Sequence, residues 1–212
     1  MSTYQKGSFG YDFNLLQNKQ KVILLKDEQE KSMVLISPEY QGRVMTSSAN
    51  GMNGQSYGWV NHDYIESGKK NEKFNPYGGE ERFWLGPEGG QFSLYHDAEG
   101  NFTADNWSVP RALDSEPFEI VMESKQRTIF EKEMKVKNHA GTEFSIGVLR
   151  QITLLSTNSV KGFLGVAVPE NVQAVAYETQ NTIINRNPFE WNENPGVPSI
   201  WMLGMYPPSA EA

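Results

Sequence analysis

Residues 130–154 read Phe-Glu-Lys-Glu-Met-Lys-Val-Lys-Asn-His-Ala-Gly-Thr-Glu-Phe-Ser-Ile-Gly-Val-Leu-Arg-Gln-Ile-Thr-Leu. Phe130, Met134 and Val136 alternate with Glu131, Glu133, Lys135 and Lys137. Beyond Asn138-His139-Ala140-Gly141, the residues Phe144, Ile146, Val148, Ile152 and Leu154 fall on one face. A period of two sends successive side chains to opposite sides of a strand. Two antiparallel strands joined by a turn are therefore predicted, with one face on a core and the other in water. Arg150 interrupts the apolar face. A cation there must be paired, either in a structural ion pair or with a ligand.

The same reading extends outward. Phe118, Ile120 and Met122 oppose Glu119 and Glu123 just upstream. Residues 21–26 and 33–36 form two short apolar runs around a charged turn, a predicted hairpin ended by Pro38. Further strands are predicted over 42–48, 82–85, 91–95, 172–182 and 199–205, with asparagine- and glycine-rich loops over 50–58 and 184–198. Residues 66–75 read as a polar linker, and 101–114 as an irregular segment across one end of a sheet. Asp12 to Lys19 is predicted to be one short helix, with Asp12 as its N-cap and Phe13 and Leu16 on one face. About ten strands that follow one another by hairpins imply an all-β fold, an antiparallel β-sandwich forming a single domain over residues 1–212.

Composition narrows the function. Acidic residues outnumber basic ones by 26 to 19, a net charge of −7, so a nucleic-acid or anionic-membrane partner is not expected. Cysteine is absent, which rules out thiolate chemistry and leaves the compartment open. No apolar run approaches the ~18 residues of a membrane span. The start, Met1 to Gly7, has no signal-peptide pattern. No serine sits in a Gly-x-Ser-x-Gly elbow, and no cofactor is expected.

The most informative polar stretch is Tyr77-Gly78-Gly79-Glu80-Glu81-Arg82-Phe83-Trp84-Leu85-Gly86-Pro87-Glu88-Gly89-Gly90-Gln91-Phe92. A strand core is pinched between two glycine-rich bends. Glycine there permits unusual backbone angles and close approach of a ligand. Glu80, Glu81 and Glu88 together have the donors for calcium, but no calcium-loop spacing is present and no metal is expected.

Residues 78–93, with Tyr40 to Ser47, Asn106 to Pro110 and Ser199 to Met205, resemble an uncharacterised Bacteroidetes family. That family is placed with the galactose-mutarotase-like β-supersandwich proteins, and the resemblance runs across nearly the whole chain. It implies that this chain is the N-terminal part of a longer supersandwich, incomplete at its C-terminus. It also implies carbohydrate chemistry. Aldose mutarotases open a sugar ring with a histidine acid and a late glutamate base, two groups of opposed protonation on one carbon–oxygen unit. Nothing after Met205 supplies such a glutamate. Asn61-His62-Asp63-Tyr64 is similar to the mutarotase asparagine-histidine-serine-tyrosine motif, but it precedes the glycine pair instead of following it. His62 is accordingly read as a loop histidine, and His96 and His139 as solvated turn residues.

A pyranose has an apolar C–H face for aromatic rings and a rim of hydroxyls for bidentate polar groups. Trp84, Trp107 and Trp59 are candidates for the face, and Arg43, Asn61, Arg82 and Gln91 for the rim, with Glu80 and Glu88 as candidate catalytic carboxylates. Two functions stay open: an epimerase- or mutarotase-like isomerase, or a non-catalytic carbohydrate-binding or partner domain. The bland alternative makes Trp84 core and Glu80–Arg82 a local salt bridge. An unpaired sheet edge at the last strand leaves self-association open as well.

Overall fold

The computed structural model describes residues 4–169 and 171–208. Among them the chain forms nine strands, paired antiparallel throughout, and four α-helices. The fold is therefore predominantly β, as the alternation predicts. Helix α1 (Phe9–Gln17) precedes a meander of β1 (Ile23–Lys26), β2 (Met33–Ser37) and β3 (Arg43–Ser48). Helix α2 (His62–Ser67) leads to β4 (Arg82–Gly86), which pairs with the last strand, β9 (Ser199–Leu203). Between them lie the short helix α3 (Arg111–Asp114) and a four-stranded meander: β5 (Glu119–Glu123), β6 (Arg127–Lys137), β7 (Glu143–Leu155) and β8 (Ala176–Asn185). Helix α4 (Thr157–Leu164) interrupts the β7–β8 connection.

The long hairpin forms as its sequence dictates. Phe130 lies opposite Arg150 and Val136 opposite Phe144. Asn138 closes the turn: its Oδ1 accepts from the Thr142 amide at 2.9 Å, and its own amide donates to Thr142 O at 2.9 Å. The inward residues Phe130, Phe144, Ile146, Val148 and Ile152 meet Ile23, Leu25, Val34, Ile36, Val44, Phe83 and Leu85 in one core. Strands β2 and β3 are buried along their whole length because both faces are covered. Val34 and Ile36 enter that core, whereas Met33, Leu35 and Met45 pack with Phe9, Leu16 and Ile65 of the two helices. A continuous apolar run such as Met-Val-Leu-Ile is what two-sided burial requires.

Arg150 is fully buried and resolves to the ion pair. Its guanidinium donates to Glu81 Oε1 at 2.6 Å, to Asn181 Oδ1 at 2.6 Å and to Gly42 O at 2.9 Å.

Several local expectations need correcting. Helix α1 starts at Phe9 with Ser8 in the N-cap position, and Asp12 lies inside it, 2% exposed. The motif Asn-His-Asp-Tyr is the start of a second helix and not a loop: Asn61 caps α2 by accepting from the Tyr64 amide at 3.2 Å. Residues 91–95 form no strand. Ser93 Oγ donates to Glu88 O at 2.6 Å and accepts from the Tyr95 amide at 3.1 Å, a local bonding pattern that competes with a sheet ladder. The strand expected over 172–182 is displaced towards Asn185, and the strand after the 184–198 loop stops at Leu203.

Candidate functional site

Strand β4 carries the glycine-rich motif, and the structure divides that motif into three environments. The first is an aromatic column. Trp84, 3% exposed, stacks on Tyr95 with centroids 5.3 Å apart and meets Trp201 edge-on at 5.8 Å. The Arg82 guanidinium lies 3.9 Å from the Trp84 ring centroid. Tyr95 in turn stacks on Trp107 at 5.9 Å. Trp84 therefore has no face open to a ligand, and half-buried Trp107 already has Tyr95 stacked on it. Glu88 is exposed and accepts from Trp84 Nε1 at 2.7 Å. Gln91 is exposed on the same bend.

The second environment is a buried cationic layer. Arg82 pairs with Asp114 at 3.1 Å and donates to Leu113 O at 2.7 Å. Burial lowers its pKa to about 10, with Asp114 pulling the other way. Arg43, 1% exposed, donates to Gly78 O at 2.7 Å and to Gln41 Oε1 at 3.1 Å. Burial holds its pKa well below the ordinary arginine value, and the charge of Arg82 adds to that effect. The side chain lies 5.9 Å from each of the Tyr40 and Tyr77 rings. Gly79 makes room for it: at φ +120°, an added Cβ would come within 2.5 Å of Arg43 Cδ. Both arginines thus hold the frame together. Asn61 does the same, donating to Pro76 O at 2.9 Å besides capping α2.

The third environment is the candidate site. Glu80 is 4% exposed, yet it lines a surface hollow of about 410 Å³ between β3, the 55–57 loop, residues 173–175 just before β8, and Tyr206. The Glu80 amide bonds Met45 O at 3.1 Å, which fixes the backbone beside β3. Gly58 lets it approach, because a Cβ there would sit 2.9 Å from Glu80 Cβ and 2.3 Å from Met45 O. Ser47 Oγ donates to Glu80 Oε1 at 2.8 Å. The Tyr177 hydroxyl lies beside the same carboxyl and lowers its pKa by hydrogen bonding, while Oε2 is buried with no close, well-aligned partner. Burial pushes the Glu80 pKa up, Ser47 and Tyr177 pull it back, and the neighbouring Glu81 charge pushes it up again. The rim carries Gln55, Tyr57, Gln173 and the exposed ring of Tyr206. A buried carboxyl in reach of a hollow can accept a hydroxyl or deliver a proton to one.

Glu80 and Glu88 stand on either side of β4, whose four residue steps alone span about 13 Å. Glu88 is turned onto Trp84 Nε1 and does not line the Glu80 hollow, so the two carboxylates are not paired there. The three histidines are engaged elsewhere: His62 with Asp12, His96 with Ser93, and His139 with Asp97 O. Among the described residues no group of three or more His, Cys, Asp or Glu could hold a metal ion, which leaves Glu80, Glu81 and Glu88 as separate carboxylates. No helix among the described residues is long and apolar enough to cross a membrane. Trp59 is 39% exposed and tied through its backbone to Gly79 and Met205.

A family model described as a family of unknown function, DUF6786, matches residues 7–212. The chain belongs to this family. No curated protein and no solved structure matches it.

The residues that complete the DUF6786 hollow escaped the sequence reading. Ser47 read as one of several strand serines. Tyr177, which meets the Glu80 carboxyl, and Tyr206, which lines the hollow, lie 97 and 126 residues further along the chain, and nothing local to either announces the meeting.

Proposed function

We propose that this DUF6786 protein binds a carbohydrate in the Glu80 hollow. The observation that carries the reading is the buried Glu80 carboxyl, bonded by Ser47 and flanked by Tyr177, at a surface cavity. A carboxylate accepts two hydroxyls, and the amides of Gln55 and Gln173 each offer a donor and an acceptor to neighbouring ones. The rings of Tyr57 and Tyr206 supply apolar surface for the C–H face of a sugar. A cavity of this size suits a monosaccharide or one ring of a longer chain.

In a catalytic version, Glu80 transfers the proton. Its raised pKa keeps the protonated form available closer to neutral pH than an ordinary carboxyl would allow. The reaction class would be epimerisation or ring opening, with the hydroxyl of Tyr57 or Tyr206 in the lining as the second proton-transfer group. The non-catalytic version is favoured by one observation: neither Glu88 nor any histidine lines the hollow. We further infer that the strand groups, meeting in one core, form a two-layer sandwich of galactose-mutarotase-like type, with the free side of β9 or β8 able to pair with another strand.

Titration calorimetry with a panel of neutral monosaccharides tests the binding claim. Saturable binding is expected, weakened about tenfold, or about 1.4 kcal/mol, by Glu80→Gln. Absence of binding across the panel, or binding indifferent to both Glu80→Gln and Tyr206→Ala, rejects it. Polarimetry on freshly dissolved glucose and galactose then separates the two versions, since only the isomerase speeds the approach to the equilibrium rotation.

A further inference from the structure

A second hollow, of about 340 Å³, opens on the other side of the glycine pair, between α1, α2 and the turn after α3. Its aromatic wall is Tyr40 stacked on Tyr77, centroids 3.8 Å apart and 10° from parallel, with Tyr64 edge-on to Tyr77 at 5.5 Å. Burial raises the pKa of all three hydroxyls, so they stay protonated and able to donate. Tyr64 already donates to Asn75 Oδ1 at 2.7 Å.

Gln20 lines the cavity, and its Nε2 is buried without a partner while Oε1 accepts from Ser37 Oγ at 3.1 Å. Turning the amide over would only exchange which end is unpaired, because among the described residues Ser37 is the one side-chain partner of the Gln20 amide. An unpaired buried amide end carries a penalty that a bound ligand would relieve.

Charge decides the ligand class. Lys19, Lys69 and Lys70 all line this hollow. Of the two carboxylates there, Asp114 is neutralised by Arg82 and already accepts from the Asn75 amide and side chain, leaving only Glu39 at the rim. A net cationic rim over tyrosine hydroxyls and a vacant amide, in a chain of net charge −7, marks a place for an anion. The depth and the mixed wall suit more than a bare ion.

We propose that this hollow binds a small polyhydroxylated anion, a sugar acid or sugar phosphate, with its oxyanion at Lys69 and Lys70 and its hydroxyls on Gln20 and the tyrosines. The proposal is independent of the Glu80 hollow.

Calorimetry on the full chain with glucuronate, glucose 6-phosphate, glucose and inorganic phosphate tests it. At least one sugar anion is expected to bind saturably, at least tenfold more tightly than glucose or inorganic phosphate, and to weaken with added salt. Whichever anion wins identifies carboxylate or phosphate as the source. The exposed pair Lys69→Ala/Lys70→Ala, which leaves the core untouched, should weaken binding at least tenfold, and Glu80→Gln should leave it unchanged. The proposal fails if neither sugar anion binds or if glucose or inorganic phosphate binds as well. It also fails if Glu80→Gln removes the binding while the double lysine variant keeps it.

Discussion

Arg150 and Glu81 are joined at 2.6 Å across the core, with the arginine side chain fully buried and the glutamate side chain 15% exposed. The pair couples β7 to the residue that precedes β4, so it ties the long hairpin to the strand on which the glycine-rich motif is built. Two further bonds, to Gly42 O and Asn181 Oδ1, tie the guanidinium to the residue before β3 and to β8 as well. Removing one partner of such a pair strands the other. Arg150→Ala is therefore expected to destabilise the chain by about 3–5 kcal/mol, against the ~0–1 kcal/mol of an exposed pair. Urea denaturation of the variant beside Arg186→Ala, whose partner Glu133 is exposed, measures both regimes in one protein. Equal losses would mean the buried pair contributes no more than a surface one.

Gly79 and Gly89 look alike in sequence and differ in space. Gly79 sits at φ +120° with Arg43 Cδ 2.5 Å from where a Cβ would be, whereas nothing lies within 4 Å at Gly89. Gly79→Ala must both strain the backbone and push a buried arginine, for an expected loss of about 2 kcal/mol or more. Gly89→Ala should change stability by no more than about 0.5 kcal/mol. Thermal or urea midpoints of the two variants check the contrast, which disappears if the motif's glycines serve only as flexible turns.

Glu80 makes stability fall with pH in a defined window. Its folded pKa lies above the ordinary value of 4.5, chiefly through burial. Between 4.5 and that raised value the folded chain keeps a proton that the unfolded chain releases. Its contribution is thus fully present below 4.5 and is lost as pH rises through the folded pKa. Glu80→Gln abolishes this slope while preserving shape and the Ser47 bond. The difference in stability between variant and wild type should accordingly shift in the variant's favour from pH 4 towards neutrality, in a series of urea titrations. A shift the opposite way would mean that the folded state stabilises the Glu80 anion.

Much of the fold was legible because the period-two code is local. Phe130 through Leu154 declared a hairpin in the sequence alone, and Arg150 was conspicuous on its apolar face. The helices after α1 were not legible: α2 is only six residues long, too short for an apolar periodicity to show, and its cap, Asn61, follows directly on a glycine-rich loop. The candidate site was half legible. Glu80 reaches a hollow, but Trp84, Arg43 and Arg82, which were expected beside it, are buried in the frame instead. Aromatic and cationic residues near glycines look the same in sequence whether they greet a ligand or stack on each other. Only the partners Tyr95, Asp114 and Tyr77 decide between the two, and they come from other parts of the chain.

Asp12 provides the last test, because it acts from inside α1 and not as its cap. It is 2% exposed, accepts from Ser56 Oγ and bonds His62 Nε2, and Ser56 Oγ lies 2.6 Å from Thr46 Oγ1. This chain of side chains fastens α1 to α2 and to β3, on the face of the sheet away from the β5–β8 strands. Asp12→Ala leaves a buried hydroxyl and an imidazole without their acceptor, for an expected loss of about 1–3 kcal/mol. If the link acts between the helices, the Asp12–His62 coupling from a double-mutant cycle with His62→Gln should reach about 0.5–3 kcal/mol. The loss should also be local. Amides of α1 are expected to exchange faster in Asp12→Ala, while those of the β6–β7 hairpin, anchored in the other core, should hold nearly the protection their reduced global stability allows. Uniform acceleration across both cores, with no coupling to His62, would show Asp12 to be a general packing element and not a tie between two helices.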